Sequence, residues 1–409
     1  MNREQLVRMA RHNMARVKSD TTDQTAEILK MPAADYTDPA RWQLERERIF
    51  LRLPQALMLS CEIREPGQYR SLEVMERPVL VVRQDDGRAQ AFLNICTHRG
   101  AQLVAVGTGR ASRFTCSFHG WSFSAKGKLI GVASAAEFGE LDKEANGLKP
   151  LPTFERAGVI WAVLTPGSTV DFESFLSGYD QHLAAFNLDK FHVLGHKRLE
   201  SVNWKLTYDG YVDFYHLPAL HKPTFGAKFP NRALNYRWGP HQRVVTPDPS
   251  LLKLESRPEQ EWPTATLMKG VWPLFPNAAF ISIDGQGTRF MFSRILPGRS
   301  VGESYSVHTF VTANELITEE EREAAETQFS FLVQVLREED YTAAAGVQKN
   351  LMSGALDHVY FGRNEPGSQN FHKWVDRCAQ AATDAQRNAL FAERRQTASS
   401  DEELMALRP

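Results

Sequence analysis

Two short cysteine–histidine pairs constrain this 409-residue chain more than any other feature. The first reads Cys96-Thr97-His98-Arg99-Gly100 and the second Cys116-Ser117-Phe118-His119-Gly120-Trp121. Each supplies one thiolate and one imidazole. A two-iron cluster with two thiolates on one iron and two imidazoles on the other asks for that mixture. A structural zinc site is the competing reading. Zinc motifs, however, usually join cysteine to cysteine and histidine to histidine across short gaps, and these spacings are Cys-x-His and Cys-x-x-His. Gly100 and Gly120 let two loops approach closely around such a centre. A centre of this kind passes one electron at a time.

The rest of the composition is ordinary. Hydrophobic residues make up 42% and charged residues 24%, as in globular proteins with a buried core, and the length suggests about two or three domains. A net charge of −1 creates no long-range field for nucleic acid or an anionic membrane, so neither is an expected partner. The apolar run Val159–Leu164 falls far short of the roughly 20 residues a bilayer span needs. Met1–Lys18 has no apolar stretch of the secretory kind, and the expected location is cytoplasmic. In a reducing compartment cysteines are ligands or free thiols rather than disulfides. Cys61 and Cys378, with no histidine at ligand spacing, read as plain thiols.

Asp38 and Pro39 open a helix whose periodicity continues through Trp42–Arg52. From about Ser60 the texture changes to short strands and glycine turns: Val79–Val82, a turn at Asp85-Asp86-Gly87, Ala91–Asn94, and finally Phe154–Thr165. The expected division is a helical segment, 1–56, packing on the last domain; an all-β domain, 57–168, with both Cys/His motifs on its loops; and a larger mixed domain, 169–409. In the last, Asn203–Leu220 has helical texture. Ala278–Ile283 and Arg289–Ile295 read as a hairpin turning at Asp284-Gly285, and Ser304–Val311 as a strand. Thr318-Glu319-Glu320-Glu321 is a capping box that opens a helix to about Glu338. Leu390–Leu407 reads as a charged peripheral helix.

A second informative stretch begins at Asn203-Trp204-Lys205 and runs through Asp213 and His216 to His221. One helical turn distorted at Pro218 brings the two histidines to one metal. Two histidines and a carboxylate form the facial triad of a mononuclear iron(II) oxygenase; in isolation the pair reads equally as two plain helix histidines. Taken together, Cys-x-His-Arg-Gly, Cys-x-x-His-Gly-Trp and Asn-Trp-Lys…Asp-x-x-His-x(4)-His resemble the Rieske non-heme iron aromatic-ring-hydroxylating oxygenases. The resemblance is to their alpha (catalytic) subunit and extends from Pro39 to about Trp374.

That resemblance implies an α+β fold, an all-β Rieske [2Fe-2S] domain joined to a helix-grip catalytic domain whose antiparallel sheet is crossed by helices. It implies one [2Fe-2S] Rieske cluster on Cys96, His98, Cys116 and His119, and one mononuclear Fe(II) on His216, His221 and Asp340. Asp340 is chosen from Glu338-Glu339-Asp340, ahead of Gly346-Val347-Gln348, with Glu339 as runner-up. Respiratory Rieske proteins carry two further cysteines where this chain has Ala101 and Phe118, so a potential at the low end of the range, about −150 mV, is expected. Asp213 is implied as the catalytic carboxylate joining His216 to His119 of the partner subunit. Asp209, Gly210 and Leu217 are candidates for the substrate pocket, and Phe361–Gly367 for a turn near it. The other eight histidines, His372 among them, lie outside any matched motif.

The implied function is that of a terminal oxygenase. It uses O2 and electrons from a separate reductase, with or without a ferredoxin, to mono- or dihydroxylate a small organic, most simply aromatic, substrate. With no second cysteine-rich motif and no Gly-x-Gly-x-x-Gly fingerprint, the chain is expected to draw on NAD(P)H only through those proteins. A homotrimer is implied, since head-to-tail contacts close into a ring; an α3β3 assembly stays open. The competing readings are a Rieske-type electron-transfer protein with a non-catalytic second domain, an O- or N-demethylating Rieske monooxygenase, and a zinc-stabilised scaffold.

Overall fold

The first helix, Arg3–Ser19, buries Leu6, Val7, Met9, Ala10 and Met14 along one side, the stripe of a helix packed on a core. Arg3 donates to the Glu259 and Trp262 carbonyls and Asn13 to the Thr246 carbonyl, which ties this helix to the larger domain. The computed structural model describes residues 3–225, 230–283 and 287–397. Asp38 caps the helix Pro39–Glu45 by accepting from the Ala40 N–H. The helix expected to reach Arg52 widens instead into a π-turn at Arg46–Phe50, which carries Ile49 and Phe50 into the core with no exposed surface.

Three antiparallel sheets make up the β domain. Gln68–Val74, Arg77–Arg83 and Ala89–Leu93 are the middle of a five-stranded sheet edged by Gly107–Arg110 and Pro150–Leu151. Val159–Ala162 lies between Gln55–Leu59 and Thr153–Arg156, and Arg113–Thr115, Ser122–Ser124 and Leu129–Gly131 form a third sheet. The run Val79–Val82 is consecutive rather than alternating because both its faces are buried. Leu80 and Val82 join Phe114, Trp121 and Phe123 in a small core around Cys96 and Cys116. Val79 and Val81 face the main core shared with the second domain.

The second domain is built on a seven-stranded antiparallel sheet. Its spatial order is His192–Ser201, Ser304–Thr312, Arg289–Pro297, Ala278–Ser282, Val271–Leu274, His241–Val245 and Leu234–Trp238. Ala278–Ser282 pairs with Arg289–Pro297 as the expected hairpin; its turn at 284–286 lies outside the described residues. Thr318 and Glu321 exchange the reciprocal capping bonds, and the helix Glu319–Val335 follows. The C-terminal helix is Asp384–Thr397, and residues 398–407 of the expected one lie outside the described residues. The fold class is the expected one, a Rieske domain beside a domain of helices and antiparallel sheet. Among the described residues no helix is long and apolar enough to cross a membrane.

The Asn-Trp-Lys stretch has a structural task. Asn203 caps the helix Trp204–Val212 through the Lys205 N–H and donates to the Tyr36 and Val301 carbonyls. Trp204 Nε1 donates to Glu45 at 2.8 Å and Lys205 Nζ meets the same carboxylate. Lys205 and Glu45 are 1% and 0% exposed, so neither has water as a substitute partner. Lys205→Met is expected to cost about 3–5 kcal/mol by leaving Glu45 short of its deepest counter-ion. Denaturant unfolding measures this, and Glu45→Gln combined with Lys205→Met should recover part of the loss.

Candidate metal centres

Both Cys/His motifs form loops of one construction. The Cys96 N–H donates to the Ala101 carbonyl at 2.8 Å and the Gly100 N–H to the Cys96 carbonyl at 2.9 Å. In the second loop Cys116 N–H reaches the Trp121 carbonyl at 2.7 Å and Gly120 N–H the Cys116 carbonyl at 2.9 Å. Gly100 and Gly120 close these loops with φ of +80° and +69°, a region strained for other residues. Cys96 and Cys116 are free thiols, each 2% exposed. Burial pushes the Cys96 thiol up, and the neighbouring Cys116 thiol adds to the shift against His98 and Arg99 N–H groups. The His98 and His119 rings meet edge to face with centroids 4.7 Å apart, and Trp121 stacks on His98 at 4.8 Å. His98 Nδ1 is buried without a hydrogen-bond partner. An orphaned buried imidazole nitrogen is costly unless a partner such as a metal takes its lone pair, and the two buried thiols lie in the same small core. Phe118 stands 61% exposed with its ring 3.7 Å from that of His119.

The second site is assembled at a break in a helix. Trp204–Val212 ends at Asp213, and a short helix, Leu217–Leu220, restarts with Pro218 in its first turn. The His216 and His221 rings, at the two ends of this short helix, lie 5.1 Å apart between centroids. The carboxylates arrive from a π-turn, Leu336–Asp340, between the helices Glu319–Val335 and Tyr341–Met352. Such single-turn widenings re-aim side chains inside a helix. Asp340 Oδ1 lies 3.6 Å from His216 Nε2 and 3.4 Å from His221 Nε2. The three ligand atoms all lie within 4.8 Å of one another, near enough for one ion to draw them to ligand distance.

The acidic triplet divides its labour. Glu339 Oε2 lies 2.7 Å from His221 Nδ1, and its other oxygen accepts from the Thr224 hydroxyl. Glu338 pairs with Arg337 at the surface. Asp213 Oδ2 is 3.2 Å from His216 Nδ1. Each imidazole therefore has a carboxylate behind its Nδ1 and Asp340 before its Nε2, an arrangement that fixes ring and tautomer. Burial works against a charged His221, yet Asp340 and Glu339 outweigh it and hold the ring above its ordinary value.

A cavity of about 970 Å³ opens on these three side chains. Gly210 and Leu217 line it. Asp209, the third residue expected at the pocket, is not among the lining residues. Successive helical residues point about 100° apart, and the Asp209 carboxylate turns to accept from the Tyr36 hydroxyl at 2.7 Å and to meet His372 Nε2 at 2.8 Å. The Asp213 N–H donates to the Asp209 carbonyl at 2.8 Å, so this buried cluster anchors the helix end that carries Asp213. Tyr36 and His372 belong to distant segments, and no local pattern announces either.

Residues 54–155 match the family model of the Rieske [2Fe-2S] domain, and residues 188–381 that of the ring hydroxylating alpha subunit (catalytic domain). The chain belongs to the Rieske ring-hydroxylating alpha-subunit family. Membership implies a Rieske cluster and a mononuclear iron, and the donor types at the two sites fit these groups. The glycine betaine monooxygenase oxygenase subunit of Chromohalobacter salexigens is 30% identical over 208 residues, 49% of this chain and 46% of that protein. The chain thus spans about half the length of the curated relatives it matches. Among solved structures, the quaternary ammonium Rieske monooxygenase CntA with L-carnitine is similar with a TM-score of 0.73, at 21% identity over 86% of this chain and 96% of that one. Naphthalene 1,2-dioxygenase with bound indole gives 0.72 at 19% identity, over 91% and 97%. At these identities the structural likeness speaks for the fold.

Proposed function

We propose that this chain is the terminal oxygenase of a Rieske system, drawing electrons from a partner reductase or ferredoxin and using O2 to oxidise an organic substrate. The observation that carries the reading is the convergence of His216 Nε2, His221 Nε2 and Asp340 Oδ1 on one point at the wall of a large cavity. An electron carrier needs neither a second donor set nor a cavity beside it. In this reading Cys96, His98, Cys116 and His119 hold the cluster within 57–168, and His216, His221 and Asp340 hold the iron within 169–409, with 1–56 packed on the latter. When bound, the cluster supplies single electrons and the iron supplies activation of O2.

The chain's own residues do the rest. Glu339 holds the Nδ1 proton of His221, and Asp213 that of His216. Asp213 meets His119 of the partner subunit in a head-to-tail homotrimer. Phe118 and Tyr215, neighbours of His119 and His216, are 61% and 53% exposed, and a subunit contact would cover both. Phe214, Leu217, Ile281, Met291, Leu332 and Leu336 form an apolar wall that keeps water from the reacting centre. The same wall favours an aromatic or other hydrocarbon body at the iron, and ring hydroxylation in the cytoplasm is the activity we assign. Relatives named for glycine betaine and quaternary ammonium oxidation keep demethylation as the second reaction.

Reconstituted protein with a surrogate reductase should hold about three irons per chain and show substrate-stimulated O2 uptake with a hydroxylated product. A chain with two irons, a rhombic reduced signal and no substrate-dependent uptake would be a carrier.

A further inference from the structure

We propose that the substrate is an amphipathic acid, with its apolar body at the His216/His221/Asp340 end of the cavity and its carboxylate held by Arg243. Which end is oxidised rests on the oxygenase reading; the anchoring of the acid does not.

The cavity is two-sided in character. Beside the metal site its wall is apolar. Toward the N-terminal helix it is charged, with Arg16, Arg232, Lys269 and Arg243. Three of these cations have carboxylate partners. Arg16 Nε is 3.2 Å from Asp23, Arg232 pairs with Asp20, and Lys269 Nζ lies 3.4 Å from Asp248. Arg243 has none among the described residues. Its Nη2 donates to the Leu267 and Lys269 carbonyls at 2.6 and 2.9 Å. Nη1 reaches only the Met9 sulfur, at 3.6 Å, and the buried Nε–H has no acceptor.

Arg243 is 5% exposed. Its guanidinium sits 4.8 Å from the centroid of the Trp272 ring, and this weak attraction is small beside the cost of a buried, unpaired ion. Burial lowers its proton affinity to about 10, with the Tyr236 and Tyr179 hydroxyls only partly opposing; the group remains a cation. A carboxylate entering the cavity would meet the guanidinium at Nη1, which has only the Met9 sulfur, and supply the missing charge with a charge-assisted bond. A quaternary ammonium fits the cavity less well. Phe214, Tyr211 and Tyr341 offer it aromatic faces beside the metal site, but Asp340 is committed to the metal site. At the far end the same ligand would meet an unpaired cation.

The test compares three probes on the anaerobic, metal-loaded protein by calorimetry: a 6-(2-naphthyl)hexanoate, the matching alcohol and the matching trimethylammonium. In the unmodified protein the acid should bind at least about tenfold tighter than the alcohol, as one hydrogen bond to a charged group is worth, and the ammonium should bind weakest. Arg243→Met should erase the acid preference and Arg243→Lys should retain part of it. Each comparison is a ratio within one protein, so a loss of folded material does not alter it. If Arg243→Met does not fold, the unmodified protein and Arg243→Lys still decide. Equal binding of acid and alcohol, a preferred ammonium, or an acid preference surviving in Arg243→Met would overturn the proposal. An intact acid preference with no oxidised product under turnover would sink the oxygenase reading instead and leave the anchor standing.

Discussion

Asp213→Asn should lose nearly all product formation while both metal centres stay filled. The carboxylate has one oxygen 3.2 Å from His216 Nδ1, while the other accepts from the Tyr215 N–H. It lies at the end of the helix Trp204–Val212, outside the donor set that faces the cavity. Its side chain keeps 21% of its surface exposed, so one flank is open to a neighbouring subunit. Asparagine preserves the shape and the contact to Tyr215 but removes the charge that would bind a second imidazole. Outer carboxylates of this kind carry about 10- to 100-fold in activity, and a carboxylate that also joins two centres should exceed that range. Rapid mixing of reduced protein with substrate and O2 reads the effect directly. The cluster of the variant should stay reduced where that of the unmodified protein oxidises. Oxidation at the unmodified rate would remove Asp213 from the electron path.

Asp340→Ala and Glu339→Gln should separate just as sharply. Asp340 offers one oxygen to both Nε2 atoms, so its removal takes a donor from the set and should reduce iron from about three to two per chain, with the cluster spectrum unchanged. Glu339 lies behind His221, 2.7 Å from Nδ1. Glutamine can still accept that proton, so iron affinity should fall by about 10- to 100-fold without vanishing. Metal analysis after dialysis against a graded chelator distinguishes the two. An empty site in Glu339→Gln with iron retained in Asp340→Ala would reverse the two assignments.

The pattern of what was readable follows the distance over which each interaction acts. Cys96 with His98, and Cys116 with His119, are neighbours on single loops closed by their own glycines, so spacing alone announced them. The run Val79–Val82 is legible because a strand buried on both faces cannot alternate. His216 and His221 flank the short helix Leu217–Leu220 that follows the break, and Pro218 lies in its first turn. The division of Glu338-Glu339-Asp340 is different. It depends on a π-turn at Leu336–Asp340 that aims two adjacent carboxylates at opposite nitrogens of His221. No propensity in Leu-Arg-Glu-Glu-Asp announces that widening.

Asp209 shows the same limit from the other side. Its place in the helix made it a neighbour of the pocket in sequence, but Tyr36 and His372 turn it away, and they lie 173 and 163 residues distant. Arg243 is unremarkable in its strand until the other cations of the cavity are seen to be paired. The residue order thus specified what local spacing can hold: the four proposed cluster donors, the two proposed iron-binding histidines and the β texture around the first. The place of the proposed third iron donor, the orientation of each ring, the lining of the cavity and, among the described residues, its cation without a carboxylate partner arose from contacts between remote segments. Those contacts exist only when burial has brought the segments together, because no short-range preference encodes them.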